Sequence, residues 1–433
     1  MPNVTNPPPI DESSDVDHDG TSNRTHDGDD LVPATLEVTG SITDPAGNTT
    51  TDLTTLGAVV YFQETQPVDT PLPPPDGSGG LWYPATERAI GLVGDTEQWS
   101  YTTGRDVKSG VAIADGTAVV GSSDNNVYGI NLADGTEEWS YLTGGNVSSG
   151  VAIADGTVVV GSFDNNVYGI NLADGTEQWS YSTGGSVRSG VAIADGTAVV
   201  GSSDNNVYGI NLANGTEEWS YLTGRTVRSG VAIADGTAVV GSSDNNVYGI
   251  NLANGTEEWS YSTGGSVRSG VAIADGTAVV GSGDNNVYGI NLADGTEEWS
   301  YLTGGNVSSG VAIADGTVVV GSNDTNVYGI NLANGTEQWS YSTEGYVQSG
   351  VAIADGTVVV GNNSETVYGI NLADGTEEWS YLTGGDVLSG IAIADGTAVV
   401  GSDDNNVYGF KQEMEDRYET PRVSDGENWI RKF

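Results

Sequence analysis

Apolar residues fall in short alternating runs broken by Asp-Gly and Asn-Gly pairs, and the arrangement recurs every forty residues. One copy shows the pattern. Gly110-Val111-Ala112-Ile113-Ala114 leads to Asp115-Gly116, and Thr117-Ala118-Val119-Val120-Gly121 leads to the polar stretch Ser122–Asn126. Val127–Ala133 then leads to Asp134-Gly135, and Thr136-Glu137-Glu138-Trp139-Ser140-Tyr141-Leu142-Thr143 closes the copy. Runs of this length bounded by turn residues predict strands, here four per copy, named A to D. Asp-Gly and Asn-Gly supply the positive φ of a two-residue type I′ turn. On this reading A pairs with B, and C with D, through tight turns, while longer connections join B to C and D to the next A.

Tryptophan marks the repeat at 99, 139, 179, 219, 259, 299, 339 and 379, each time followed by Ser-Tyr. A forty-residue unit of four strands has the size of a propeller blade, which buries its apolar faces only by stacking on its neighbours. The first D strand, 97–103, precedes the first A strand. It is therefore expected to complete the last blade, 387–410, as its outermost strand. The residue after Trp-Ser-Tyr alternates Leu142, Ser182, Leu222, Ser262, Leu302, Ser342, Leu382, as in a ring grown by blade pairs, so an even count is expected. The predicted fold is all-β: an eight-bladed β-propeller of four-stranded antiparallel blades, closed by the N-terminal outer strand, with a small N-terminal β appendage.

The rest of the chain divides by composition. Residues 1–33 are acidic, polar and proline-bearing, and are expected to be flexible. In 34–66, Thr35–Gly40 and Ala58–Phe62 alternate like two strands around Pro45-Ala46-Gly47-Asn48, a β-sandwich-like fragment. The Pro/Gly-rich stretch 67–86 reads as a linker, 87–410 as the propeller, and 411–433 as a tail.

Charge narrows the partners. The 433 residues carry 59 acidic and 13 basic side chains, a formal net charge of -46. Such a surface repels nucleic acid and anionic membrane. Its self-repulsion is relieved where molar salt shortens the Debye length to about 3 Å, so the expectation is a halophilic protein. There is no cysteine, hence no thiol catalyst, disulfide or thiolate metal site. No basic leader or apolar run is visible after Met1, and no run is long enough to span a membrane. Asn-x-Ser/Thr sequons at 3, 23, 48, 146, 214, 254, 306, 323, 334 and 362 suit an exterior location. A cell-surface location is expected.

The segment Val127-Tyr128-Gly129-Ile130-Asn131-Leu132-Ala133-Asp134-Gly135-Thr136-Glu137-Glu138-Trp139, present in seven continuous copies with the eighth divided between Val407–Phe410 and the stretch ending at Trp99, covers about three quarters of the chain and resembles the repeat of the pyrroloquinoline-quinone-like (PQQ-like) propellers. It departs from that pattern at Gly129, Asn131 and Asp134, where the family favours alanine, aspartate and threonine. The resemblance implies eight blades and a girdle in which each outer-strand tryptophan docks on the neighbouring blade. Among the family's dehydrogenases it also implies a quinone held with calcium, arginines, a catalytic carboxylate and often paired cysteines. Eight nearly interchangeable blades do not supply the single unlike group that general-base work requires. The non-catalytic scaffold members are the nearer analogy; the alternative is a quinoprotein dehydrogenase. Partners are expected to be a protein or a small anionic ligand, the ring monomeric, and PQQ no cofactor.

Where copies differ, function is most legible. The Asp-Gly turns hardly change, whereas the B–C and D–A connections do, and alternating strand direction places both of these on one face. That face holds every basic residue between 99 and 410: Arg105, Lys108, Arg188, Arg225, Arg228 and Arg268. Lys108, Arg188, Arg228 and Arg268 share one repeat position before strand A, which places them at the channel rim as a candidate anion-binding arc. Blade seven diverges most, with Glu344 and Tyr346 in one loop and Glu365 in the other, a candidate contact spot. Near the N-terminus Asp15, Asp17, Asp19 and Asn23 have calcium-loop spacing, although the twelfth position is His26.

Overall fold

The computed structural model describes residues 97–411, together with 42–43 and 49–50. Residues 97–411 form eight four-stranded antiparallel sheets. In blade 1, strands A to D are Val111–Ala114, Thr117–Gly121, Asn126–Asn131 and Glu137–Leu142. The A strands of successive blades touch one another and surround the centre of the ring. Blade 8 joins Ile391–Ala394, Thr397–Gly401 and Asn406–Lys411 to Glu97–Thr102, with Trp99 opposite Gly409 and Thr102 opposite Asn406. The expected circular closure is thus present.

Strand B is buried throughout because both of its faces are covered. Ala118 and Val120 pack with Val399 and Val407 of blade 8, whereas Val119 packs with Val158 and Val160 of blade 2. Alternation sends successive side chains to opposite neighbours. Only strand D keeps a wet side: Trp139 and Tyr141 turn towards blade 2, while Glu138, Ser140 and Leu142 are exposed.

Three repeated joints lock blade to blade. The first is the tryptophan, whose Nε1 donates to the carbonyl of the next blade's Leu: Trp99 to Leu132 at 2.8 Å, Trp139 to Leu172 at 2.7 Å, and so on to Trp339 and Leu372. Each indole also lies over its own blade's C-strand glycine. A Cβ on Gly129 would sit 2.2 Å from Trp139, which explains the glycine where the related family favours alanine. The second joint is the Tyr101 hydroxyl donating to Glu137 of the next blade, a contact that recurs around the ring and ends with Tyr381 donating to Glu97. The third is a collar before strand A, where Gly110 N donates to Ser149 O, Gly150 N to Ser189 O, and onward until Gly390 N donates to Ser109 O, all at 2.8–3.0 Å. The backbones meet so closely that a Cβ on Gly390 would lie 2.7 Å from Gly110 Cα.

The seam between blades 7 and 8 departs from this scheme. Trp379 is only half-buried and packs against Phe410, which stands where other blades carry isoleucine.

The two Asp-Gly turns differ from each other, which corrects one expectation. Asp115 and Gly116 both have positive φ, 50° and 78°, as the type I′ turn between A and B requires. Between C and D only Gly135 is left-handed, at 72°. Strand C ends at Asn131 and strand D starts at Glu137, so the connection is a five-residue loop, 132–136, rather than a two-residue turn. The cause is local side-chain capping: Asn131 Oδ1 accepts from Ala133 N at 3.0 Å, and Asp134 Oδ1 accepts from Thr136 N at 3.1 Å. A bulge at Gly129/Ile130 absorbs the extra length. In the N-terminal unit, Ile42–Thr43 pairs with Thr49–Thr50, and the turn expected at Pro45–Asn48 lies outside the described residues. The longer strands expected at 35–40 and 58–62 lie outside the described residues.

Both turn types share one face, since Leu132 N donates to Gly116 O at 2.8 Å. The B–C and D–A loops share the other, held by a carboxylate. Asp124 Oδ2 accepts from Gly104 N and from the Tyr128 hydroxyl, both at 2.7 Å, and its Oδ1 accepts from Asn126 N at 2.8 Å. Burial alone would raise the Asp124 carboxyl, but these donors hold it below the usual carboxylate value, and the same holds for Asp204, Asp284 and Asp404. Burial and the neighbouring carboxylate push the phenols of Tyr208, Tyr288, Tyr328 and Tyr408 up to about 12.

A chain lacking residues 1–85 is expected to unfold like the full chain by calorimetry. One lacking 1–104 loses the outer strand of blade 8, should melt at lower temperature and should self-associate through the bared edge; equal melting of the two would refute the closure. In denaturant titrations Trp219→Ala should cost about 3–5 kcal/mol and Trp379→Ala clearly less, because its indole is only partly buried. The depressed aspartates give stability that is present above about pH 4 and lost as pH falls through their folded values. The raised phenols give stability that is complete below about pH 10 and lost as pH rises through their folded values. In an alkaline titration, phenolate absorbance from most tyrosines should therefore appear only together with unfolding, and ordinary titration near pH 10 by all of them would contradict the network.

Candidate functional site

All six basic candidates lie on the D–A loops of the variable face, and a backbone hydrogen bond clamps each of these loops to the B–C loop of its own blade. Ser123 N donates to Asp106 O, Phe163 N to Asn146 O, Gly283 N to Ser266 O, and Asp403 N to Asp386 O, all at 2.9 Å. Two positions of the D–A loop and the first variable residue of the B–C loop thereby become neighbours. A second regularity links adjacent blades: the residue in the Lys108 position touches the B–C residue of the preceding blade. Lys108 reaches Asp403 at 2.9 Å, Arg188 stacks on Phe163, and Gln348 Nε2 donates to Asn323 Oδ1 at 2.9 Å.

This arrangement separates the four cations of the arc. Lys108 is neutralised inside the protein by Asp403 and, at 3.3 Å, by Asp106. Burial would lower the Lys108 ammonium, yet the two carboxylates raise it above the ordinary lysine value. Asp403 is pushed up by its own burial, opposed by Lys108 and reinforced by Asp106 and Asp386. Arg188 has its guanidinium carbon 3.8 Å from the centre of the Phe163 ring, a cation–π contact. Its Nε and that of Arg228 are shut off from solvent with no hydrogen-bond partner among the described residues. Burial first, and then the adjacent Arg228 charge, hold Arg188 below the ordinary arginine value.

Arg268 is exposed and borders a cleft of about 340 Å³ spanning blades 5 to 7, lined also by Asn306, Ser308, Asn323 and Gln348. Gly283 opens it, because the corresponding position in every other blade carries a side chain. Arg105 and Arg225 are exposed on the outer part of the same loops, where their carbonyls accept from Thr103 and Thr223.

The blade 7 candidates also come together. Tyr346 is 49% exposed, and its N–H donates to Asn363 Oδ1 at 2.6 Å. Glu344 lies two residues earlier in the same loop and Glu365 two residues after Asn363 in the B–C loop, both exposed and both left-handed at φ 60° and 64°. Buried Asn362 has taken over the Asp124-type role, its Oδ1 accepting from Ser364 N and Thr366 N at 3.0 Å and its Nδ2 donating to Thr343 O at 2.7 Å.

Asp15, Asp17, Asp19 and Asn23 lie outside the described residues. Among the described residues no cluster of three or more His, Cys, Asp or Glu side chains could hold a metal ion, and no helix is long and apolar enough to cross a membrane. The A strands read Val-Ala-Ile-Ala in seven blades and Ile-Ala-Ile-Ala in blade 8, so they contribute no carboxylate, amide or cation that would hold a quinone or its calcium. Sequence reasoning missed Asp106, Asp403, Phe163 and Asn323. The signal for Phe163, Asn323 and Asp403 lay in a column that reads Ser, Phe, Ser, Ser, Gly, Asn, Asn, Asp from 123 to 403 at intervals of forty.

No curated protein matches the chain. Among solved structures, BamB from Moraxella catarrhalis is similar at TM-score 0.64 and 16% identity, over 73% of this chain and 99% of that one. The computationally designed protein Ika8 is similar at TM-score 0.65 and 17% identity, over 72% and 97%. Sqt1 from Saccharomyces cerevisiae is similar at TM-score 0.63 and 12% identity, over 72% and 97%. These likenesses show the fold. The family profile described as outer membrane protein assembly factor BamB matches residues 88–227, 222–346 and 342–417, and with that coverage the chain belongs to this PQQ-like β-propeller family.

Proposed function

We propose that the chain is a non-catalytic scaffold that holds a protein partner on the face formed by its B–C and D–A loops. One observation carries this reading: the frame repeats with little change, while the variable positions of both loops are clamped side by side on a single face. Loops displayed on a rigid frame are where recognition concentrates. The family's description as an assembly factor supports a protein partner, and the uniform apolar A strands support the absence of a quinone site. The charge of -46 supports a salt-rich setting, and the sequons a cell-surface one.

The lack of cysteine makes a clean test available, because one introduced thiol can be tagged with a bulky polymer. Arg225→Cys lies exposed on the variable face, and Ala133→Cys lies exposed on the other. Polymer at 225 should lower partner capture from native extract at least about tenfold, a shift of about 1.4 kcal/mol, while polymer at 133 leaves it unchanged. Equal effects at both positions would overturn the assignment of the face. Reduction of an artificial electron acceptor by the protein with the quinone, calcium and an alcohol would overturn the non-catalytic reading.

A further inference from the structure

We infer that Arg188 and Arg228, on adjacent blades 3 and 4, form a paired-arginine seat for the carboxylates of an acidic peptide segment, with the ring of Phe163 holding Arg188 in place. The inference deepens the proposed function and rests on it.

The case begins with what surrounds each cation. The residue before strand A has two fixed neighbours on this face: the residue two places earlier in its own loop, and the B–C residue of the preceding blade. For Lys108 these are Asp106 and Asp403, and both bind it. For Arg188 the same positions hold Ser186 and Phe163, and for Arg228 they hold Thr226 and Ser203. The hydroxyls there are turned to one another across each blade, Ser186 to Ser203 at 3.1 Å and Thr226 to Ser243 at 3.0 Å. Neither guanidinium has a carboxylate within ion-pair distance among the described residues.

In a chain with 59 acidic residues, two neighbouring arginines with no carboxylate partner among the described residues stand out against the fully paired lysine at the same repeat position two blades earlier on the ring. Their proximity is itself unfavourable, since like charges repel, and a buried donor without an acceptor is destabilising. An incoming carboxylate on the terminal guanidinium nitrogens would relieve the repulsion, while the Nε atoms stay enclosed. Guanidinium is suited to this because its planar fork meets a carboxylate with two parallel hydrogen bonds. Two forks on adjacent blades favour a ligand bearing successive carboxylates, with exposed Arg268 on blade 5 continuing the row.

The probe is an oligo-glutamate peptide, with binding to the full chain followed by calorimetry and the fold of every variant checked by its unfolding midpoint. The expected result is binding that falls at least about tenfold in Arg188→Gln/Arg228→Gln and changes less than about twofold in Lys108→Gln, whose charge is already spent on Asp106 and Asp403. Arg188→Lys/Arg228→Lys keeps the charge but loses the fork and should fall in between. An unchanged affinity in the double glutamine variant overturns the inference, as does an equal loss in Lys108→Gln, which would mean diffuse attraction. Binding of citrate or inorganic phosphate with no binding of the peptide overturns it too. If polymer at position 225 still blocks partner capture while the arginine variants capture normally, the face stands and only this seat falls.

Discussion

No blade of this ring can exist with its apolar faces satisfied by its own residues. Strand B sends Val119 one way and Ala118 and Val120 the other, so two neighbours are required for one blade to exclude water. Cohesion is therefore a property of the gaps. The tryptophan is the largest body in each gap, and a fully buried indole removes about 150–250 Å² from water. At about 25 cal/mol per Å² this is at most about 4–6 kcal/mol per joint. The glycine under each indole and the glycine collar at the centre follow from the same demand, because each stands where a methyl group would hold two surfaces apart.

A ring built from gaps has to close, and here closure costs the chain a strand from its far end. Glu97–Thr102 contributes a ladder to Asn406–Lys411, a tryptophan bond to blade 1 and a carboxylate to Tyr381 of blade 7. One short segment thus bonds to three blades. The seam at blade 8 still shows its origin: the repeat is interrupted after Phe410, and Phe410 fills the neighbouring gap as the bulkiest of the fully buried side chains.

Much of this was legible because a repeat gives eight independent readings of the same signal. Strand order, blade number, circular closure and the assignment of loops to faces all follow from the tryptophan interval and the alternating direction of antiparallel strands. The type I′ turn at Asp115-Gly116 was legible as well. The second Asp-Gly was not, because Asn131 and Asp134 cap local backbone groups and hold a longer loop; a dipeptide does not reveal which of two turn chemistries wins. The pairing of Lys108 with Asp403 was invisible for another reason. The two residues lie 295 positions apart and meet only because the ring closes.

That contact between consecutive blades gives the variable face its logic. Each position before strand A is read against a residue of the blade before it, so a substitution in one copy alters the environment in the next. An acid in the B–C position cancels a cation, as at Asp403; an aromatic ring presents it, as at Phe163; an amide extends it into a short polar bridge, as from Gln348 to Asn323. A frame that is nearly identical eight times can thereby carry a non-repeating surface with only a few exchanges per blade. On a molecule of charge -46, the exchange that sets blades 3 and 4 apart is the withholding of a carboxylate from Arg188 and Arg228 among the described residues, where blade 1 has Asp106 and Asp403 around Lys108.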